Sequence, residues 1–568
     1  MQIPFSRSAR LGAVMLASWA GALGAKPLPV TEGPSVELPE FTVTGKGGLP
    51  EPEPWRIVAW PGFEVLSTAP DRRTRRLLEN YLKFNEALAL VWPVPRPPTE
   101  PPIRLIICGR GDVFTRFTGP VTGPVPTSGA ATLLLRRGAD TAIVVDYQTK
   151  ALPFSIRPLR FRGTQFRFPF SARSNEEDME EDHAEEMELD EDETSLDHVR
   201  ELSREYVRVV LTSQGARPPA WFEEGLAQIL AGIELNRGSI VVAKLRTSSE
   251  LSVDEEGGFN IVLRHQKLIP LAQFFSVSHD APQVRNPIGS VWVHQAHAFA
   301  HFCLYGERGR RQQAFVNFVR RAMREPVTEE VFRDCFGLTF REMEKELRRY
   351  VLLPRSQYQR FTLGKGEEIK APQLAELRDA TPDEVGRLLG ESLALAGHEA
   401  AAHRELRLAY ARGARHPRVL GGLGLAELAT GRKERAWKLI NAAVDARVDR
   451  AEPYLALARQ RLSEAPERIG SAAAANVLKV LFAARQYAPP HAEVYRTIAD
   501  VWRRCTVEPT SDHLAPLYEG MKHFPRDQAL ARALLELEKR VGHEREAREL
   551  ETYLERLALA ADRSFLRL

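Results

Sequence analysis

Gly397 and Gly431 stand 34 residues apart, and each has a leucine eight positions before it (Leu389, Leu423) and an alanine five positions after it (Ala402, Ala436). The same trio returns as Leu534, Gly542 and Ala547. A recurrence at this period is the mark of stacked helix-turn-helix units, none of which can bury its apolar face alone. The glycine ends the first helix, and the small alanine lets the second helix pack closely against its neighbour. Beyond about Leu374 the composition shifts to Ala, Leu, Glu and Arg in short amphipathic stretches, so an all-α repeat array is expected over 374–568. Its register is clear in two adjacent units and is lost between about 450 and 520. Arrays of this kind offer a concave face to another polypeptide, which makes a protein partner the expected ligand.

Over roughly 380–565 this pattern resembles tetratricopeptide repeats. The part before it reads differently. Arg56 to Ser67 alternates like a strand, and Asp71 to Leu90 repeats apolar positions at helical spacing through Leu77, Leu78, Tyr81, Leu82 and Leu88. Strand-like Ile103 to Cys108 follows, then a strand pair, Ala131 to Arg136 and Thr141 to Tyr147, around the turn at 137–140. From Ser195 the chain turns mainly helical, with Val199 to Thr212, Ala220 to Ala231, Val291 to Leu304 and Arg310 to Arg324 the clearest helices, and a short strand near Ser239 to Lys244. The expected organisation is a leader over 1–25, an extended linker over 26–55, an α+β domain over 56–352, a linker over 353–373, and the helical array.

The first 25 residues put Arg7 and Arg10 ahead of an uncharged run from Leu11 to Ala25, with Ala22, Gly24 and Ala25 at its end. That layout is a secretory signal peptide, and its run falls short of the roughly 20 apolar residues that span a bilayer. Export to the periplasm, the envelope or the exterior is expected, with no membrane span after cleavage. The formal net charge of +3 hides two populations. Glu176 to Asp197 holds 14 acidic residues and no Lys or Arg, so the rest of the chain carries 78 basic against 61 acidic side chains. The acidic stretch lacks an apolar stripe and reads as a disordered insertion over 175–197. The basic residues are scattered through helices without interleaved aromatics, which argues against a nucleic-acid partner. Four distant cysteines (Cys108, Cys303, Cys335, Cys505) exclude a disulfide scaffold and any C-x-x-C motif, leaving buried thiols or one pair.

The chemistry-bearing stretch runs Ser203-Arg204-Glu205-Tyr206-Val207-Arg208 and then Pro218-Pro219-Ala220-Trp221-Phe222-Glu223-Glu224-Gly225-Leu226-Ala227. It resembles secreted metallopeptidases of the gluzincin type, the peptidase MA-like family, whose active helix reads H-E-x-x-H and whose second helix begins P-x-W-x-x-E-G-x-A. Two imidazoles at i and i+4 lie on one helical face and hold zinc with a carboxylate from the neighbouring helix, while the glutamate after the first histidine activates the bound water. Position by position the resemblance makes Glu205 the general base and Glu224 the third ligand, with Trp221, Gly225 and Ala227 in the structural frame. Residues Val331 to Tyr350 resemble the end of that catalytic domain, so the likeness spans about 56–352.

Both zinc histidines are replaced, by Arg204 and Arg208. A guanidinium keeps its proton and has no lone pair to give a metal. The resemblance therefore implies a pseudopeptidase with no cofactor, in which Glu205 and Glu224 pair with the arginines. The alternative is a working metallohydrolase in which zinc moves to His294, His297 and His301, which share one helical face at i, i+3 and i+7, together with Glu205 and Glu224. His198 stands nearly two turns before Arg204. Gln295 matches a glutamine of a family helix that packs near the active site. No G-x-S-x-G, G-x-x-x-x-G-K-[ST] or G-x-G-x-x-G motif offers another chemistry.

Overall fold

The computed structural model of the protein describes residues 38–39, 49–94, 102–118, 132–137, 140–148, 198–212, 218–236, 238–245, 259–279, 281, 284, 290–323, 325–352, 358–364, 367–487, 490–525 and 527–565. The expected signal peptide, most of the first linker and the acidic insertion lie outside the described residues. Among the described residues no helix is long and apolar enough to cross a membrane.

The stretch 56–67, expected as one strand, is a hairpin of β1 (Arg56–Trp60) and β2 (Phe63–Ser67). Pro61 and Gly62 break it: proline pre-sets the first turn dihedral, and Gly62 takes the second at φ 85°. The helix Asp71–Val91 then crosses over, as a parallel partner requires, and β3 (Ile103–Cys108) pairs parallel with β2. The pair β4 (Thr132–Arg137) and β5 (Asp140–Asp146) is antiparallel, and β5 runs parallel to β3. The order is β4-β5-β3-β2-β1, with the two-residue strand Arg378–Asp379 added at the edge beside β1.

Both faces of this sheet are covered, and the side-chain alternation of each strand divides between two cores. On one face Leu105, Ile107, Ile143 and Val145 meet the helix Asp71–Val91 and the helix over 198–212. On the other, Ile106, Cys108 and Val144 meet Val113, Phe114 and Phe117 of the helix Gly111–Thr118 and Leu388, Leu389 and Leu393 of Pro382–Leu395. The first helix of the array is thus the second layer of the sheet. A smaller sheet joins Glu234–Asn236, Ser239–Val242 and Gln359–Thr362, so the stretch expected as a linker over 353–373 supplies a strand. Trp55, at the end of the stretch expected as the first linker, is buried, with its indole N–H donating to Glu53.

The C-terminal part is an all-helical repeat array of five antiparallel pairs, from Pro382–Leu395 with Glu399–Ala411 to Gln528–Val541 with Glu544–Phe565. Gly397, Gly431 and Gly542 each end the first helix of a pair in the left-handed region, at φ 80°, 81° and 85°. Ala402, Ala436 and Ala547 are buried one turn into the second helix. The array continues through 450–520, where the expected register fades. Ala451–Glu464 packs with Ser471–Arg485, and Ala492–Arg504 with Ser511–His523. The turn between the first two has no left-handed glycine. Its carbonyls at Leu462, Ala465, Pro466 and Glu467 accept instead from the Arg504 guanidinium of the next pair.

Candidate functional site

Three helices build the site: 198–212, Ala220–Ala231 and Val291–Tyr305. The first is anchored on the sheet by Leu202, Val207 and Tyr206, whose ring meets Phe63 and Tyr81 at 5.8 and 5.7 Å. Arg204 and Arg208, one turn apart, leave that apolar contact on the side that reaches the second helix. The second helix begins after Pro218-Pro219, where proline suits a helix start, and stops at Gly232. Trp221 fixes it in an aromatic cage with Phe275, Phe299 and Phe318. At Gly225 a β-carbon would lie 2.4 Å from the Ala296 carbonyl oxygen, so the glycine sets how closely the second and third helices approach.

Five charged side chains of this site are at least nine-tenths buried: Arg204, Glu205, Arg208, Glu223 and Glu224. Arg204 donates to Glu205 Oε1 through Nη2 at 2.8 Å and through Nε at 3.1 Å, and lies 3.2 Å from Glu201. Arg208 donates to Glu205 Oε2 at 3.2 Å. Its Nη2 and Nε also lie 3.2 Å from Glu224 and 3.4 Å from Glu223, contacts that are ionic but not aligned as hydrogen bonds. The other Glu224 oxygen accepts from Gln228 at 2.9 Å. Burial works against the charge on Arg204, but Glu201, Glu205 and Glu224 outweigh it and hold the guanidinium above its ordinary range. Burial works against the charge on Arg208 as well, and Glu205, Glu224 and Glu223 overcome it in the same way.

Two partners were not foreseen in the sequence. Glu223 is as buried as Glu224, and His279 approaches it at 3.2 Å. The doubled glutamate was the visible signal for the first, whereas nothing in the short segment around His279 marks it.

The histidine helix sits beside this cluster, and its members differ. His301 Nδ1 bonds the Tyr350 hydroxyl at 2.7 Å and Nε2 the Ala243 carbonyl at 2.9 Å, so both ring nitrogens are engaged. Burial pulls its pKa down to about 4, against the Ala243 carbonyl, which raises it. His297, whose ring meets Phe259 edge-on, is held well below the usual imidazole range by burial and then by His301, Arg200 and His294. His294 is also buried. His198 bonds the Asp146 carbonyl at 3.0 Å, at the end of β5. Gln295 clasps the backbone of Ile269, accepting at 2.7 Å and donating at 2.8 Å. Among the described residues no group of three or more His, Cys, Asp or Glu side chains is disposed to hold a metal ion. All four cysteines are free thiols, and Cys108, Cys303 and Cys505 are buried.

The site does not fit a zinc ion. Both candidate imidazole positions carry guanidinium groups, and each oxygen of Glu205 is already bonded to one of them. What the arrangement can do is hold three carboxylates from two helices around fixed cations.

No protein-family model and no curated protein matches the chain. One solved structure, named MamA MSR-1 C2, matches over 31% of this chain and 96% of its own at 17% identity, with a TM-score of 0.25. A likeness that slight carries no argument about fold or function.

Proposed function

We propose that the protein is an exported pseudopeptidase: a gluzincin-like domain that has exchanged zinc catalysis for an ion-pair core, joined to a tetratricopeptide-like array that binds a protein or peptide. The observation that carries this reading is the position of Arg208. Its guanidinium touches Glu205 and, from the neighbouring helix, Glu223 and Glu224, all within 3.4 Å. A permanently charged side chain thereby supplies the positive charge that a metal supplies where carboxylates converge, and keeps the two helices together without one. It supplies no Lewis acidity, and both oxygens of Glu205 are engaged by guanidinium groups. Export rests on the leader-like first 25 residues, and a polypeptide partner on the array of helical pairs.

Elemental mass spectrometry of the purified chain, beside the Arg204→His/Arg208→His double variant, tests the reading. The natural chain is expected to carry well below stoichiometric zinc, and the variant to take up about one zinc per chain. Stoichiometric zinc in the natural chain would overturn it and return attention to the histidine helix.

A further inference from the structure

The hairpin β4–β5 reaches across to the array and closes one end of a cavity of about 250 Å³. The opposite walls come from three array helices, Pro382–Leu395, Glu399–Ala411 and Pro417–Ala429, and from the start of Ala451–Glu464. Much of its lining is apolar: Leu395, Leu406, Leu425 and Pro453, with the small Ala394 and Ala426. The volume falls below the ~300–1,000 Å³ of sites that enclose a whole small molecule. It is sized for one or two side chains presented by a longer ligand.

The charges around it are unevenly committed. Arg418 donates to both oxygens of Asp449 at 2.6 Å. Arg450 donates to Asp140 at 2.7 Å and to Glu391 at 2.9 Å. Arg137 leans on the Ala394 carbonyl at 3.4 Å. The lining carboxylates Glu391 and Asp140 are consumed in these pairs. Glu399 and Glu452, by contrast, are exposed lining residues that make no hydrogen bond or ion pair among the described residues, although Arg450 feels Glu452 at longer range. An apolar hole rimmed by two carboxylates that pair with no cation among the described residues, with Arg418 and Arg450 of its wall paired to carboxylates, complements an apolar side chain that has a cation beside it.

We propose that this cavity is a peptide pocket, composite between the sheet hairpin and the first array helices, that takes a bulky apolar side chain flanked by lysine or arginine. The proposal rests on the protein-binding reading above and makes it specific. It does not involve the Arg204–Arg208 cluster.

Three fluorescent peptides titrated into the full chain test it: one with phenylalanine between lysines, one with glutamates for the lysines, and one with serine for the phenylalanine. Only the first is expected to bind saturably. Glu399→Lys/Glu452→Lys, at exposed positions, is expected to weaken it about tenfold or more. Ala426→Phe, which fills the hole, is expected to do the same. Equal binding of the glutamate peptide, or indifference to the Glu399→Lys/Glu452→Lys variant, overturns the pocket. So does self-association of the chain that Ala426→Phe abolishes, since a second copy is then the occupant. Display of a random peptide library separates the two levels. Peptides captured regardless of these variants overturn the pocket and leave the protein-binding reading standing, whereas no capture at all removes both.

Discussion

Arg208 touches three buried carboxylates, and removing it strips Glu223 and Glu224 of the guanidinium that reaches them from the first helix. Truncating one partner of a buried ionic cluster costs about 3–5 kcal/mol, because the charges left behind stay desolvated. Arg208→Met is expected to lower unfolding stability by that amount in urea titrations, and Arg208→Met/Glu205→Gln to cost less than the two single changes added together. A loss below about 1 kcal/mol for Arg208→Met would mean the cluster is solvated in solution. His301 gives a pH dependence. Its folded pKa of about 4 lies below the ordinary 6.5, so as pH falls through that window the unfolded chain takes up a proton that the folded chain refuses. Stability is fully present above pH 6.5 and declines toward pH 4, by about 3 kcal/mol from this group. His301→Gln is expected to flatten the decline between pH 7 and pH 4.5, followed by unfolding midpoint, and an unchanged slope would assign the acid sensitivity elsewhere.

Two glycines that look alike in sequence do different things. Gly431 is left-handed with open space around it, so Gly431→Ala pays only the backbone term, about 1–2 kcal/mol. Gly225 sits inside a helix, where an added methyl would meet the Ala296 carbonyl at 2.4 Å and the Ala300 side chain at 2.8 Å. Two helices must then separate, so Gly225→Ala is expected to cost about 3 kcal/mol or more and to loosen the ion-pair cluster between them. The reverse order of the two losses, measured by thermal unfolding, would deny Gly225 its role as spacer. These cases mark what was legible in the chain. Gly397, Gly431 and Gly542 announce their turns because only glycine adopts that conformation freely, and Leu389, Leu423 and Leu534 follow from period alone. The turn after Glu464 was illegible because it is satisfied by Arg504, some forty residues further on, and local pattern does not encode a long-range donor. The hairpin at Pro61-Gly62 carried its own signal, a proline-glycine pair between alternating strands, which the unbroken alternation masked. At the candidate site, the pairing of Arg204 and Arg208 with Glu205 and Glu224 is within reach of helical spacing, whereas His279 arrives from a segment whose position only the tertiary fold determines.

The junction between the sheet and the array is a core. Leu388, Leu389 and Leu393 of the first array helix lie against Leu66, Ile106 and Val144, completing the second layer of the sheet. Charged groups follow the same seam. Arg104, 2% exposed near the start of β3, pairs with Glu391 of that helix, which also accepts from Arg450, and Arg387 holds Glu64 of β2 with both oxygens engaged at 2.7 and 2.6 Å. Burial opposes the charge on Glu391, but Arg450, Arg104, Arg418 and Arg387 prevail and hold its carboxyl at about 2. A chain cut within 363–373 would therefore bare an apolar sheet face and strip Arg104 of its Glu391 partner, and the exposed apolar area is among the larger penalties a fold can meet. A fragment over 49–373 is expected to aggregate or remain partly unfolded, whereas one extended through the first helical pair to residue 411 restores the layer and the Glu391 pairing. Size-exclusion chromatography with circular dichroism distinguishes the two. A monomeric, cooperatively folded 49–373 fragment would show that the array is an appended domain, and would remove the shared framework on which the composite cavity between hairpin and array depends.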